Sequence, residues 1–228
     1  MKKEYLFYKN FLDISKTIAG DIFKNVFYPW EVIPKIKDFI VKIGENLPKD
    51  EYKEIKPQVW IHKDAEIFES AYISGPTIIQ KNAQIRHCAF IRGSVIIGEN
   101  SVVGNSTEVK NAIIFNDVQI PHFNYVGDAI LGYKAHMGAG SIISNIKSDK
   151  TNVVVKSDNG EKIETGLRKF GAIIGDFVEI GCNSVLNPGT IVGRNTNVYP
   201  TTMVRGFLRE NSILKNTGEI IQKKKRDV

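Results

Sequence analysis

The sequence predicts a mainly β fold: a parallel β-helix of about seven coils, with an N-terminal helical cap and an inserted hairpin loop. Three observations predict it. A six-residue period in β-branched residues runs through most of the chain, residues 1–56 carry apolar residues at helical spacing, and residues 147–169 interrupt the six-residue period with strand-like runs.

The period is the strongest signal. Ile61, Ile67, Ile73, Ile79, Ile85, Ile91, Ile97, Val103 and Val109 follow one another at six-residue intervals. Four places into each hexad the residue is small or short, as at Ala65, Ala71, Thr77, Ala83, Ala89, Val95, Ser101 and Thr107. The frame slips back one residue to Ile114, Ile120 and Val126, and again to Leu131, Met137 and Ile143. It resumes at Ile174, Ile180, Leu186, Val192, Val198 and Val204, with Gly175, Gly181 and Gly193 following three of these. A period of six fits neither an α-helix nor a simple alternating strand. It fits a short strand and a turn, three of which make a triangular coil, with coils stacked at about 4.8 Å. The β-branched residues then point into the prism, and 57–214 is the β-helix.

The end coils of such a stack expose unpaired edges and need cover. Leu6, Phe7, Phe11, Ile14, Ile18, Ile22 and Val26 recur at helical spacing, Tyr28-Pro29 interrupts, and Ile36, Phe39, Ile40 and Ile43 continue to Gly44. Residues 1–56 are therefore expected to form a helical cap at the N-terminal end. Within 147–169, Val153–Val155 and Glu161–Thr165 flank Asp158-Asn159-Gly160, a hairpin signal. This excursion is of the kind that builds a site.

The charge balance is mildly basic, 31 Lys and Arg against 25 Asp and Glu, for a net charge of +6. Much of the excess falls in 215–228, where Lys223, Lys224, Lys225 and Arg226 read as a solvated basic tail rather than a nucleic-acid site. Two cysteines, Cys88 and Cys182, are too few for a disulfide scaffold and fit a reducing compartment. No apolar run approaches membrane-spanning length. The expectation is a cytoplasmic protein with no membrane or nucleic-acid partner.

Residues 104–145 contain His122, Asn124-Tyr125, Gly127-Asp128 and the turn Gly138-Ala139-Gly140. This stretch resembles the glucosamine-1-phosphate N-acetyltransferase domain of the bifunctional bacterial enzymes that make UDP-N-acetylglucosamine. The resemblance covers most of 57–214 and is specific over roughly 90–150. It implies a left-handed β-helix, a homotrimer and acetyl-CoA as co-substrate, with no metal. It implies that Arg92 and Lys110 bind the sugar phosphate, with Glu108 and Tyr125 beside them, and that His122 is the catalytic base. It further assigns a backbone N–H to Ala139, substrate contacts to Asn145 and Lys169, and the acetyl-CoA side to Cys182, Pro200 and Arg205. Four positions depart from the family pattern: His136 takes the place of a second substrate-binding asparagine and is counted with the substrate-binding residues, Ile146 replaces a tyrosine, Cys182 a serine, and Pro200 aligns near the small residue that admits the pantetheine arm. No Gly-rich nucleotide loop opens the chain.

The chemistry asks for these residue types. A neutral imidazole takes the proton an attacking amine must lose. A backbone N–H at Ala139 stabilises the developing oxyanion by about 3 kcal/mol. Asn145 orients the amine, while Arg92 and Lys110 supply bidentate and point-charge contacts to phosphate. The expected function is acetyl-CoA-dependent N-acetylation of an amino-sugar 1-phosphate, glucosamine-1-phosphate first, in nucleotide-sugar and cell-envelope precursor synthesis. The alternatives are an acyltransferase for another amino or nucleotide sugar, or a non-catalytic partner of a separate sugar nucleotidyltransferase. A trimeric β-helix zinc enzyme is disfavoured because no two histidines stand at short spacing. Plain structural readings exist too: His122 as a surface histidine, Arg92 and Lys110 as solvated charges, Tyr125 as a packing residue, and Gly138–Gly140 as a corner turn.

Overall fold

The computed structural model describes residues 3–157 and 159–223. From Val59 onward the chain winds as a three-faced left-handed β-helix. Rungs of the first face begin at Val59, Thr77, Val95, Ala112, Ala129, Ala172 and Thr190, and Phe207 opens an incomplete last one, each parallel to the one before. The second face runs through Glu66–Ile67, Gln84–Ile85, Val102–Asn105, Gln119–His122, His136–Met137, Glu179–Ile180 and Asn197–Val198 to Ser212–Leu214. The third stacks Tyr72, Phe90, Glu108, Tyr125, Ile142, Val185 and Met203 in register, each beginning a short strand. The hexad residues fill the prism: Ile79, Ile85, Ile91, Ile97, Val103 and Val109 are fully buried, as are their successors from Ile114 to Ile143.

The two slips in the hexad frame have a structural cause. Glu108–Ile114 and Tyr125–Leu131 each pass from the third face to the first as one unbroken strand. Those corners are a residue short, and Asn111 (φ 45°) and Asp128 (φ 50°) take the left-handed backbone that turns them. Asn and Asp tolerate that conformation because their short side chains can hydrogen-bond locally.

The N-terminal segment departs from expectation. It contains one α-helix, Ile36–Gly44; the rest is short 3₁₀ turns, namely Glu4–Leu6, Tyr8–Asn10, Ile14–Lys16, Gly20–Phe23 and Pro29–Lys35. It is also not a cap on one end, because it lies along the whole length of the first face. Tyr5 and Phe11 meet Phe207 of the last rung at 5.6 and 6.0 Å between ring centres, Phe23 meets Phe115 at 6.3 Å, and Trp30 meets Phe170 at 6.1 Å. Gly44 lies against Trp60 of the first rung, where a Cβ would come within 2.4 Å of the indole. Pro29 and Pro34 deny the segment a continuous helix. The first face accepts this strap because its outward residues, Ile78, Ile96, Ile113, Ile130, Ile173 and Ile191, are apolar, and all are fully buried.

The ends are covered instead by short antiparallel strands. Tyr52–Lys56 pairs with Val59–His62 at the first rung, and Ile220–Gln222 pairs with Ser212–Leu214 at the last. Part of the expected tail thus belongs to the prism, and Lys223 Nζ donates to Asn195 Oδ1 at 3.0 Å. Lys224, Lys225 and Arg226 lie outside the described residues.

Asp176 clasps the strap to the prism. Its carboxylate accepts the Asp13 N–H and the Tyr133 N–H, each at 2.8 Å, and pairs with Arg194 at 3.1 Å. Burial raises its pKa above the ordinary aspartate value, against the pull of those two amides and of Arg194. Asp176→Ala should lower unfolding free energy by about 1–3 kcal/mol, since two part-buried amides lose a charged acceptor. Urea denaturation measures the loss, and faster tryptic cleavage at Lys16 and Lys24 locates it in the strap.

The 147–169 excursion leaves and returns at one point, where Ile146 bridges Lys169. Within it Val154–Lys156 and Lys162–Glu164 form the expected hairpin; Asp158 of its turn lies outside the described residues. The hairpin rests on the turn at Gly189 (φ 80°), where a Cβ would stand 2.8 Å from Val153 Cγ1 and 2.9 Å from the Val154 carbonyl.

Candidate functional site

The third face and its two edges collect most of the residues singled out in the sequence. Outward columns on this face arise because residues of successive rungs stand in register. Glu108 stacks on Tyr125 and Lys110 on Gly127, with Arg92 one coil earlier in the Lys110 column.

At the edge between the third and first faces, Asp128 is a hub. Its side chain is 5% exposed, and it accepts from Lys110 Nζ at 3.1 Å, from Asn111 Nδ2 at 2.8 Å and from Asn145 Nδ2. Burying a carboxylate is costly unless it is paired and hydrogen-bonded, and here every donor comes from an adjacent coil. Gly127 leaves the space above it open: a Cβ there would lie 2.7 Å from Tyr125 Oη and 2.8 Å from Asn145 Nδ2. The Tyr125 hydroxyl and the Asn145 amide therefore converge over a bare backbone. Burial pushes the Tyr125 phenol pKa up, and the Glu108 and Asp128 carboxylates push it the same way. Lys169 joins this edge through its backbone, since Ile146 bridges it and the Phe170 N–H donates to the Asn145 carbonyl at 3.0 Å. Arg92, 45% exposed, is bound by Glu108 at 2.6 Å. Both cations of the expected phosphate site thus have a carboxylate partner, and a phosphate must compete with Glu108 for Arg92.

The opposite edge, between the second and third faces, carries His122. Asn105, His122, Ala139, Cys182 and Pro200 follow one another down this corner in successive coils, linked by backbone bonds from Gly140 N to the His122 carbonyl, Asn183 N to the Ala139 carbonyl and Thr201 N to the Cys182 carbonyl. The His122 imidazole is exposed. Its backbone is fixed by buried Asn124, whose Oδ1 accepts the His122 N–H at 3.1 Å while its Nδ2 donates to the Gly138 carbonyl at 2.8 Å and to Ser141 Oγ at 2.9 Å. One amide therefore sets His122 against the glycine turn. Within that turn the N–H groups of Gly138 and Gly140 are used, and the Ala139 N–H has no partner among the described residues. Phe123, next to His122, is an exposed aromatic at φ 50°.

Two assigned residues fall elsewhere in the chain. His136 points from the second face and pairs with Glu179 at 2.7 Å, and Arg205 stands with Asn187 and Pro188 at the third-to-first edge, across the face from Cys182 and Pro200. Sequence reasoning left Asn111, Asn124 and Asp128 out of its site. The slips in the hexad frame were the available signal for Asn111 and Asp128, because they mark the two shortened corners. Both cysteines are free and exposed. Among the described residues, no group of three or more His, Cys, Asp or Glu could hold a metal ion, and no helix is long and apolar enough to cross a membrane.

Comparison with known proteins bears out the resemblance. Residues 73–162 match the family described as the GMPPB C-terminal domain. The chain is 36% identical over 180 residues to the bifunctional sugar-1-phosphate nucleotidylyltransferase/acetyltransferase of Sulfurisphaera tokodaii, covering 77% of this chain and 44% of that protein. It is 33% identical over 115 residues to the bifunctional protein GlmU of Methanococcus maripaludis, covering 50% of this chain and 28% of that one. The chain thus spans less than half the length of these relatives. A solved structure of PerB from Caulobacter crescentus, in complex with CoA and GDP-perosamine, aligns over 72% of this chain and 56% of that one, at 17% identity and a TM-score of 0.44.

Proposed function

We propose that this chain is an acyltransferase of the hexapeptide-repeat type, moving an acetyl group from acetyl-CoA to the amine of a sugar that carries a 1-phosphate or a nucleotide. The observation that carries the proposal is the edge where Asn124 ties exposed His122 to the turn bearing the unpartnered Ala139 N–H. A general base and an oxyanion donor held by one buried amide are the two parts that acyl transfer to an amine requires.

In this mechanism His122 takes a proton from the acceptor nitrogen as that nitrogen bonds to the thioester carbonyl carbon. The Ala139 N–H donates to the carbonyl oxygen as it gains charge. When the C–S bond breaks, the electron pair leaves on sulfur, and His122 returns the proton to the thiolate. Asn145, held by Asp128, orients the acceptor. Lys110 and Arg92 serve the phosphate of a sugar 1-phosphate, with Glu108 released from Arg92 on binding. Cys182 and Pro200 flank the donor below His122. His136, on another face, takes no part within its own protomer.

The acceptor cluster and the His122 edge bound opposite sides of one face, which supports a homotrimer whose sites combine edges of neighbouring protomers. Tyr72, Phe90, Val185 and Met203, apolar and exposed on this face, are suited to such packing.

The test is a panel of amino-sugar 1-phosphates and nucleotide amino sugars incubated with acetyl-CoA. Thiol release should accompany a mass gain of one acetyl group on at least one acceptor. Absence of acetylated product across the panel would refute the activity.

A further inference from the structure

We infer that the cleft beneath the hairpin binds the pyrophosphate of a nucleotide-linked acceptor, so that the natural substrate is a nucleoside-diphosphate sugar rather than a bare sugar 1-phosphate. The inference rests on the proposed acyl transfer and specifies its substrate.

The cleft has a volume of about 600 Å³ and is lined by Lys147, Lys156, Lys162, Glu164 and Arg205, with Asn187 at its floor. Lys156 and Lys162 stand directly opposite each other in the hairpin register. Like charges in that position are destabilising, and an anion between them reverses the sign. Both are exposed, and neither they nor Arg205 makes an ion pair among the described residues. Lys147 pairs at 3.2 Å with Asp149 at the rim, and Glu164 is the one acid in the lining. The other side of the hairpin is committed to packing, since Val155 is fully buried and Ile163 packs against the core. The lysine-bearing side is the side left open.

Position selects the ligand. Asn187 and Pro188 lie one coil below Ser144 and Asn145, and Arg205 lies one coil further down the same edge. At about 4.8 Å per coil, the cleft begins roughly 5–10 Å from the Asn145 amide, the span of two phosphates leaving a sugar C1. His122, Ala139, Cys182 and Pro200 occupy the opposite edge. The cleft therefore continues the acceptor side of the site, and Arg205 belongs with the acceptor instead of with acetyl-CoA. This placement also accounts for the paired state of Arg92: the anion has unpaired cations available elsewhere.

Titration calorimetry at low salt, with UDP, GDP, coenzyme A and inorganic phosphate as separate probes, tests the inference. UDP or GDP should bind, and Lys156→Ala and Arg205→Ala should each weaken that binding about tenfold, as for one charge-assisted contact, with coenzyme A affinity unchanged. Lys162→Glu should abolish nucleotide binding while leaving the unfolding midpoint unchanged or higher, because it removes the like-charge pair. A purely structural role would lower the midpoint instead, and would overturn the inference. So would losses that fall on coenzyme A, inorganic phosphate competing as well as the nucleotide, or no binding of either nucleotide at millimolar concentration. Failure of acetyl transfer with nucleotide binding intact sinks the proposed activity alone. Acetylation of a sugar 1-phosphate with no nucleotide binding sinks this inference alone.

Discussion

Replacing His122 with alanine should lower turnover about 10²–10⁴-fold, the range for loss of a positioned general base. The affinity for an acceptor should change little, because its assigned contacts lie on the opposite edge of the third face. His122 is exposed, so its removal creates no cavity, and the unfolding midpoint should match that of the parent. Steady-state kinetics beside calorimetry separates the two quantities: kcat falls and the acceptor Kd holds. Wild-type turnover in His122→Ala would remove this residue from the mechanism and leave the Ala139 edge without a base.

The second large effect is on stability. Lys110→Met keeps most of the aliphatic stem but strands the Asp128 carboxylate, 5% exposed, with two amide donors and no cation. Breaking a buried pair from one side costs about 3–5 kcal/mol. Because Lys110 is itself 18% exposed and water reaches part of the pair, about 3 kcal/mol is expected by urea denaturation. The double variant Lys110→Met/Asp128→Leu should recover part of that loss, since no charge is left unpaired. A single-variant loss below 1 kcal/mol would mean that Asn111 and Asn145 satisfy Asp128 without help.

The hexads made the prism legible because each inward position repeats the same packing problem, and an aliphatic side chain, Ile or Val at most positions and Leu131, Met137 or Leu186 at others, solves it from Ile61 to Val204. The strap was less legible. Apolar residues such as Phe11, Ile22, Trp30 and Ile40 satisfy a helix and a one-sided ribbon equally, so spacing alone does not separate the two. The deciding signal lay elsewhere, in the doublets Ile78-Ile79, Ile96-Ile97, Ile113-Ile114, Ile130-Leu131, Ile173-Ile174 and Ile191-Val192. A strand apolar on both sides has both sides buried, and these doublets run from rung to rung without a break only on the first face; the second and third faces carry isolated ones, such as Val102-Val103 and Ile142-Ile143. At the site, the resemblance grouped Arg92, Lys110, His122 and Asn145, and the hexad position of His136, just before inward Met137, already put it on the second face. Gly127-Asp128 was part of the resemblance, but the role of Asp128 as a buried hub was not legible, because a buried acid among outward cations leaves no periodic trace beyond the shortened corner.

The strap has a consequence for how the chain reaches this structure. In a simple solenoid each coil touches only its neighbours, so folding can begin locally and spread, and terminal coils fray independently. Here Tyr5 and Phe11 dock on Phe207, while Gly44 docks on Trp60, so the strap, which precedes the prism in the chain, finds its far anchor only when the rung at Phe207 has been synthesised. The contacts of Tyr5 and Phe11 with Phe207 join residues far apart in sequence and form late, and until they form, part of the first face remains open to solvent. Once closed, the strap joins rungs that would otherwise melt one by one into a single cooperative unit.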